Sequence, residues 1–406
     1  MAAAKTSSWR GEGGVGSDHV IERGNAGSDC AIECGGGRKG AIERSGGSAS
    51  AIERGGEGDP VVERGSASDD AIEPSIIGDS AIQPGPGAAR PLPLPAEQSL
   101  AAGLAAVFGV QPEELVLERR RNPQASTFPG EFVRCQLPDG RCLELCCKYG
   151  ADESDGCYGH RGNAAYEAAV YRLLMRRGVP GVPCLHGTFA EPAARRTWLV
   201  LERVPGLRID ELPDPVHAMR AAAAWAGRLH AKNPLAKARD AGVPLIRHTL
   251  SYYLGWIHRT IEFARPLHGR CPWLPELARH ADELVAPLLT APRVLIHGEY
   301  YPHNVLVHDG AVFAVDWQSA AVAAGELDLA ALTEHWPAEI ADACAREYRE
   351  ARWPAGAPAS FDAVLEVARI HWLFRWLGDR PQWTLGERAR WRWQMLERVA
   401  ARLGLT

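Results

Sequence analysis

Between residues 297 and 330 the chain reads H-G-E-Y-Y-P-H-N-V-L-V, then A-V-D-W, then G-E-L-D-L-A. Glu299, Asn304, Asp316 and Asp328 follow one another at separations of five, twelve and twelve residues, with apolar runs between them. The runs 305–307 and 312–315 flank His308-Asp309-Gly310, and Asp-Gly tolerates the positive φ that a tight hairpin turn needs. A hairpin here folds the two runs together and brings Asn304 close to Asp316. Two oxygen donors then converge beside a further carboxylate, a layout that chemistry explains better than packing does.

Phosphoryl transfer from a nucleotide needs such a set: a carboxylate to orient or deprotonate the attacking hydroxyl, and oxygen ligands for the magnesium that bridges the phosphates. The stretch resembles the catalytic core of the aminoglycoside phosphotransferase and choline kinase family, relatives of the protein kinases, whose pattern is H-G-D-x-x-x-x-N, then I-D, then D-L-A. The resemblance implies an α+β, two-lobed protein-kinase-like fold, with a small antiparallel-sheet N-lobe and a mainly helical C-lobe. It implies an ATP-dependent phosphotransferase acting on a hydroxyl group of a small molecule, with ATP and Mg2+ as cofactors. Glu299 stands at the position of the catalytic base, and Asn304 and Asp316 at those of the magnesium ligands. The family pattern has Asp where this chain has Glu299; the extra methylene matters because a misplacement of about 1 Å can cost about a hundredfold in rate. That substitution keeps open a second reading, a nucleotide-binding pseudokinase with a regulatory or interaction role. His297 reads as a brace for the loop, and Asp328 as a helix cap or loop holder.

Upstream, 132–137 and 142–148 are strand-like runs joined by Pro138-Asp139-Gly140-Arg141, a turn with a mechanism for each residue. Lys148 ends the second run. Ala164–Arg176 has helical spacing, with Ala165, Ala169, Val170, Leu173 and Leu174 on one side and Glu167 in its first turns. The resemblance implies that Lys148 holds the α and β phosphates and that Glu167 holds Lys148. Taken singly, a strand-end lysine is commonly just solvated, and a glutamate near a helix N-terminus is favoured there by the dipole. Residues 122–129 stand where a phosphate-covering loop belongs but lack G-x-G-x-x-G, leaving Ser126 and Thr127 as candidate phosphate contacts. The run 198–202 followed by Arg203-Val204-Pro205-Gly206 resembles the hinge between the lobes, where the backbone of Glu202 and Val204 would meet adenine; an ordinary edge strand and turn is the plain alternative. The helix carrying Trp225, Leu229 and His230 reads as core.

Residues 1–95 hold 19 of the 42 glycines and a ten-residue repeat, from Val20-Ile21-Glu22-Arg23 to Ala81-Ile82-Gln83-Pro84. Each unit offers about two apolar side chains, and burying one returns about 1.5 to 3 kcal/mol. Ordering its ten residues costs about 1 to 2 kcal/mol apiece in backbone entropy. A solenoid therefore loses, and 1–95 reads as a disordered low-complexity tail. The globular part is expected to begin near Ala96, with an N-lobe over 96–204 and a C-lobe over 205–406 carrying the catalytic loop 297–304. The tail holds nine Lys plus Arg and fourteen Asp plus Glu, a net of −5; the whole chain is also −5, so the remainder is close to neutral. No basic field argues for nucleic acid. No apolar run suits a signal peptide or membrane span, so no membrane partner and a cytoplasmic location are expected. The expected partner is a small-molecule hydroxyl acceptor; oligomeric state is open. The C-terminal aromatics, Trp372 and Trp376 on one helix face among them, read as helix packing or as a wall for a ring-bearing acceptor. Arg388, Arg390, Arg392 and Arg398 argue against a strongly cationic aminoglycoside.

Overall fold

A computed structural model of the chain describes residues 93–125, 128–151, 161–191, 194–233 and 242–405. The expected tail, 1–95, lies outside the described residues except for Pro93–Pro95. The first helix among the described residues is α1 (Glu97–Phe108).

Five strands follow: β1 (Val116–Arg121), β2 (Gly130–Gln136), β3 (Cys142–Ala151), β4 (Leu185–Glu191) and β5 (Arg196–Glu202), antiparallel in the order β1-β2-β3-β5-β4. The β2–β3 turn closes where Pro138-Asp139-Gly140 predicted it: Gly140 has φ +87°, and the Asp139 carboxylate accepts from the Arg141 N–H at 3.0 Å. β3 runs three residues past Lys148, which therefore sits within the strand and not at its end. Strand side chains alternate between faces. Leu145, Cys147 and Tyr149, with Trp198 and Val200 of β5, bury themselves with Leu100 and Leu104 of α1. Lys148 consequently faces the other way, toward α2 (Ala164–Arg176), which lies against Leu199 and Leu201.

Helix α2 begins and ends where its spacing placed it, capped by the Asn163 carboxamide oxygen accepting from the Tyr166 N–H at 2.9 Å. Its buried face is rotated from the expected one: Ala165 is exposed and Ala169 half-buried, whereas Ala164, Glu167, Ala168 and Tyr171 are buried. The apolar count alone misplaces the stripe because a glutamate belongs to it.

Beyond β6 (Leu207–Arg208) the chain is mainly helical. The long helices are α3 (Val216–Lys232), α4 (Leu250–Phe263), α8 (Ala338–Arg352), α9 (Phe361–Leu377) and α11 (Arg390–Arg402); the shorter ones are α5 (Leu274–Arg279), α6 (Ala281–Thr290), α7 (Glu326–Leu332) and α10 (Pro381–Leu385). α3 lies along α8, and α9 meets α4, α6 and α7. Between α6 and α7 run β8 (Arg293–Ile296), β9 (Val305–His308), β10 (Ala311–Ala314) and β11 (Ala321–Ala324). β9 and β10 form the expected hairpin, with Asp309 and Gly310 at φ +49° and +76°, and β6 joins β9. β11 pairs with β8 and, in parallel, with β7 (Ile246–Arg247). The fold is thus α+β and two-lobed, a small antiparallel sheet followed by a mainly helical lobe.

Candidate active site

β8 is buried and delivers the loop that starts at His297. Gly298 has φ +82°, and a Cβ there would lie 2.0 Å from the Ser319 carbonyl oxygen, so both conformation and space require glycine. The first two residues of this loop are held by one carboxylate. Asp328, in the first turn of α7 and fully buried, accepts from the His297 N–H at 2.7 Å and the Gly298 N–H at 2.9 Å. Its third bond comes from His230 Nε2 at 3.1 Å, whose Nδ1 meets the Tyr348 hydroxyl at 2.9 Å. Asp328 is the third residue of α7, inside the helix, and holds the loop. Burial lowers the pKa of His297 and keeps it neutral. Its Nε2–H donates to the Val315 carbonyl at 2.9 Å, and Nδ1 accepts from the Glu299 N–H at 3.3 Å. His297 is a brace, as its sequence context suggested.

Lys148, Glu167 and Asp316 come together across 168 residues of sequence. Lys148 Nζ donates to both Glu167 oxygens and to Asp316 Oδ1, each at 2.8 Å. Burial pushes the Lys148 pKa down, but the Asp316 and Glu167 carboxylates outweigh it and the net direction is up, so the ammonium stays charged. Burial raises the Glu167 carboxyl pKa, with Lys148 opposing. Asp316 sits at φ +69° in the left-handed region, which costs a non-glycine residue about 1 to 3 kcal/mol and recurs at functional sites. Its N–H donates to the Tyr171 hydroxyl at 3.3 Å. Asn304 is its neighbour: the Val315 N–H donates to the Asn304 carbonyl at 3.0 Å, and Asn304 Nδ2 donates to the Glu299 carbonyl at 2.9 Å. That bond orients the amide and leaves Oδ1 as an acceptor. An amide oxygen beside a carboxylate is a hard donor pair that fits Mg2+ completed by phosphate and water oxygens. No group of three or more His, Cys, Asp or Glu side chains suited to a metal occurs among the described residues.

Glu299 is only 4% exposed and lies in a basic clamp. Oε1 accepts from Arg161 Nη2 at 2.8 Å and from Arg375 Nη2 at 2.5 Å; Oε2 accepts from Ser319 Oγ at 2.9 Å and Arg161 Nε at 3.3 Å. Arg161 immediately precedes α2, Ser319 follows Asp316, and Arg375 stands on α9. None of these three was singled out from sequence. The available signal was a buried glutamate's need for cations, and Arg375 in the last turn of an aromatic helix answers it. For Arg375 the guanidinium is nearly buried, so desolvation lowers its pKa, yet Glu299, Tyr301 and Tyr252 raise it further and it remains charged.

At the expected hinge, Glu202 closes β5. Its N–H donates to the Cys184 carbonyl at 2.8 Å, and its carboxylate accepts from the Cys184 N–H at 3.0 Å. Arg203 N–H donates to the Glu144 carbonyl at 2.9 Å. Val204 is buried between β5 and β6. Ser126 and Thr127 lie outside the described residues. Trp225 and His230 of α3 are buried in the core, Trp225 stacked on Tyr300 with ring centres 5.6 Å apart.

No curated protein matches the chain. Among solved structures it is similar to the GDP complex of wild-type aminoglycoside 2′-phosphotransferase-IIIa, at 12% identity and a TM-score of 0.52 over 76% of this chain and 99% of that one. It is also similar to the choline kinase LicA from Streptococcus pneumoniae, at 13% identity and a TM-score of 0.50 over 75% of this chain and 98% of that one. At such identities these likenesses show the fold. A family model described as the phosphotransferase enzyme family matches residues 158–364, just over half of the chain and the segment that holds Arg161, Glu167, Glu299, Asn304 and Asp316. The chain therefore belongs to the phosphotransferase enzyme family.

Proposed function

We propose that this phosphotransferase moves the γ-phosphoryl group of ATP to a hydroxyl of a small molecule. The observation that carries the reading is the Lys148 ammonium, held by Glu167 on one side and by Asp316 on the other, one residue from the strand pair that presents Asn304. Lys148 reaches the α and β phosphates, with Glu167 fixing its position. Asn304 and Asp316 would hold magnesium, which would supply positive charge to the nucleotide's phosphates. The backbone of Glu202 and Val204 takes the adenine, and Ser126 is a candidate phosphate contact.

Glu299 orients the acceptor and takes the hydroxyl proton. The acceptor oxygen forms a bond to the γ phosphorus as the bond to the β–γ bridging oxygen breaks, the electron pair leaving with ADP. For this, one Glu299 oxygen has to exchange an arginine for the acceptor hydroxyl. The filled lone pairs of Glu299 favour the second reading, a nucleotide-binding pseudokinase, to the extent that this exchange fails.

The two readings separate in a magnesium-dependent ATP-consumption assay over pooled hydroxyl compounds. Glu299→Gln is expected to abolish turnover while magnesium and ATP still bind, and Glu299→Asp to keep part of it. Equal turnover by the Gln variant would remove Glu299 from the reaction. Asp316→Ala is expected to weaken magnesium-dependent ATP binding by about tenfold or more. ATP binding with no turnover in any pool supports the pseudokinase.

A further inference from the structure

Two guanidiniums meet one carboxylate at Glu299, and the Arg161, Arg375 and Glu299 side chains together carry a net charge of +1. His248 and His371 are buried, with pKa values lowered by burial, that of His371 to about 3. Glu334 is paired with Arg392 at 3.1 Å, and Arg392 stacks on Trp376 and Trp391. The aromatic wall next to Glu299 is likewise engaged by the protein's own cation: the Arg375 guanidinium lies 4.7 Å from the Trp372 ring centre and 5.8 Å from that of Trp256. A cationic acceptor entering here would meet like charge and find the aromatic faces already used.

The Arg375 fork is also half filled. Nε and Nη2 form the edge of a guanidinium that grips a carboxylate or phosphate with two parallel bonds. Nη2 is on Glu299 and the Tyr252 hydroxyl lies beside the guanidinium, while Nε is buried with no hydrogen-bond partner among the described residues. Arg375 as a whole is 7% exposed, and an unpaired buried donor carries a desolvation penalty that a ligand relieves. One turn earlier on the same helix, His371 Nε2 is also unpartnered, as are His248 Nδ1 and the Tyr253 hydroxyl, whose rings adjoin that of His371.

We propose that the acceptor is a hydroxyl compound bearing an anionic oxygen group, a carboxylate or a phosphate, which takes the Nε–Nη2 edge of Arg375. The same exchange frees Glu299 Oε1 for the acceptor hydroxyl, with Arg161 still orienting the glutamate. Binding of the correct substrate thereby releases the base. This assignment rests on the phosphotransferase reading for its consequence, but its binding test does not.

The test uses the full chain with magnesium and a non-hydrolysable ATP analogue, titrated calorimetrically with pools matched in skeleton and different in charge. Glycerol and glucose are the neutral pool, 3-amino-1,2-propanediol and glucosamine the cationic, glycerate and gluconate the carboxylates, glycerol 3-phosphate and glucose 6-phosphate the phosphates. The expected result is binding by one anionic pool about 10- to 100-fold tighter than by its neutral counterpart. The preference is expected to vanish in Arg375→Met and to fall but persist in Arg375→Lys, which keeps the charge and loses the fork. Which anionic pool binds decides between carboxylate and phosphate. Tighter binding of the neutral or cationic pool, binding by none, or a preference unchanged in both variants overturns the proposal. ATP consumption measured with the same pools is the separate arm. Arg375-dependent anion binding without turnover leaves the subsite and removes the phosphotransfer; turnover confined to neutral or cationic pools does the reverse.

Discussion

Glu299 shares its charge with Arg161, Arg375 and Ser319 in surroundings that exclude most water. Removing one partner of a buried ion pair leaves the other uncompensated, at about 3 to 5 kcal/mol, whereas removing both costs far less. Arg375→Met is therefore expected to destabilise by about that much, and Arg375→Met with Glu299→Gln by clearly less than the sum of the single changes; additive losses in denaturant unfolding would mean that the pair is not coupled. His371 gives a pH counterpart. Its folded pKa, about 3, lies below the ordinary histidine value of 6.5, so the unfolded chain binds the extra proton first. Its contribution is intact above pH 6.5 and declines as pH falls from there toward 3. His371→Phe, which retains a ring against Tyr253, is expected to flatten the fall of the thermal midpoint below pH 6.5, and an unchanged slope would exclude it. At this scale the spacing was enough to bring Asn304 and Asp316 together across the hairpin, as the structure has them. It did not reveal Arg161 or Arg375, whose meaning depends on a partner 138 or 76 residues away.

Among the elements, those with a strong period were legible. Helix α2 was found to the residue, and both hairpins followed from Asp-Gly turns. Helix α1 was not assigned, and Gly103 explains why: a glycine inside a helix costs about 1 kcal/mol against alanine and weakens the signal. The fold needs it there, because a Cβ at 103 would come within 2.3 Å of the Trp198 ring. Gly103→Ala is expected to lower stability by about 1 to 3 kcal/mol through overpacking, in spite of its better helix propensity. A rise in thermal midpoint would show that α1 can slide on the sheet.

Across the whole molecule, the lobes are joined by polar contacts at the site itself. Lys148 reaches Asp316, the Gly162 N–H donates to the Gln318 carbonyl at 2.7 Å, and the Tyr166 hydroxyl donates to the Ala320 carbonyl at 2.5 Å while accepting from the Ile246 N–H. Arg196 and Arg119 anchor the carbonyls of Pro93 and Pro95 at the head of α1. Deleting residues 1–92 is therefore expected to leave the thermal midpoint unchanged, whereas deletion through residue 108 strips the cover from Trp198 and is expected to abolish the cooperative transition. The two-lobed plan was legible because the motif that specifies it is local; the clamp on Glu299 was not, because it is assembled from α9, the segment before α2 and the turn after Asp316. The clamp on Glu299 also bears on thrift. A carboxylate whose lone pairs are all taken offers nothing to a passing water molecule, so a kinase built this way would waste little nucleotide between encounters with its substrate.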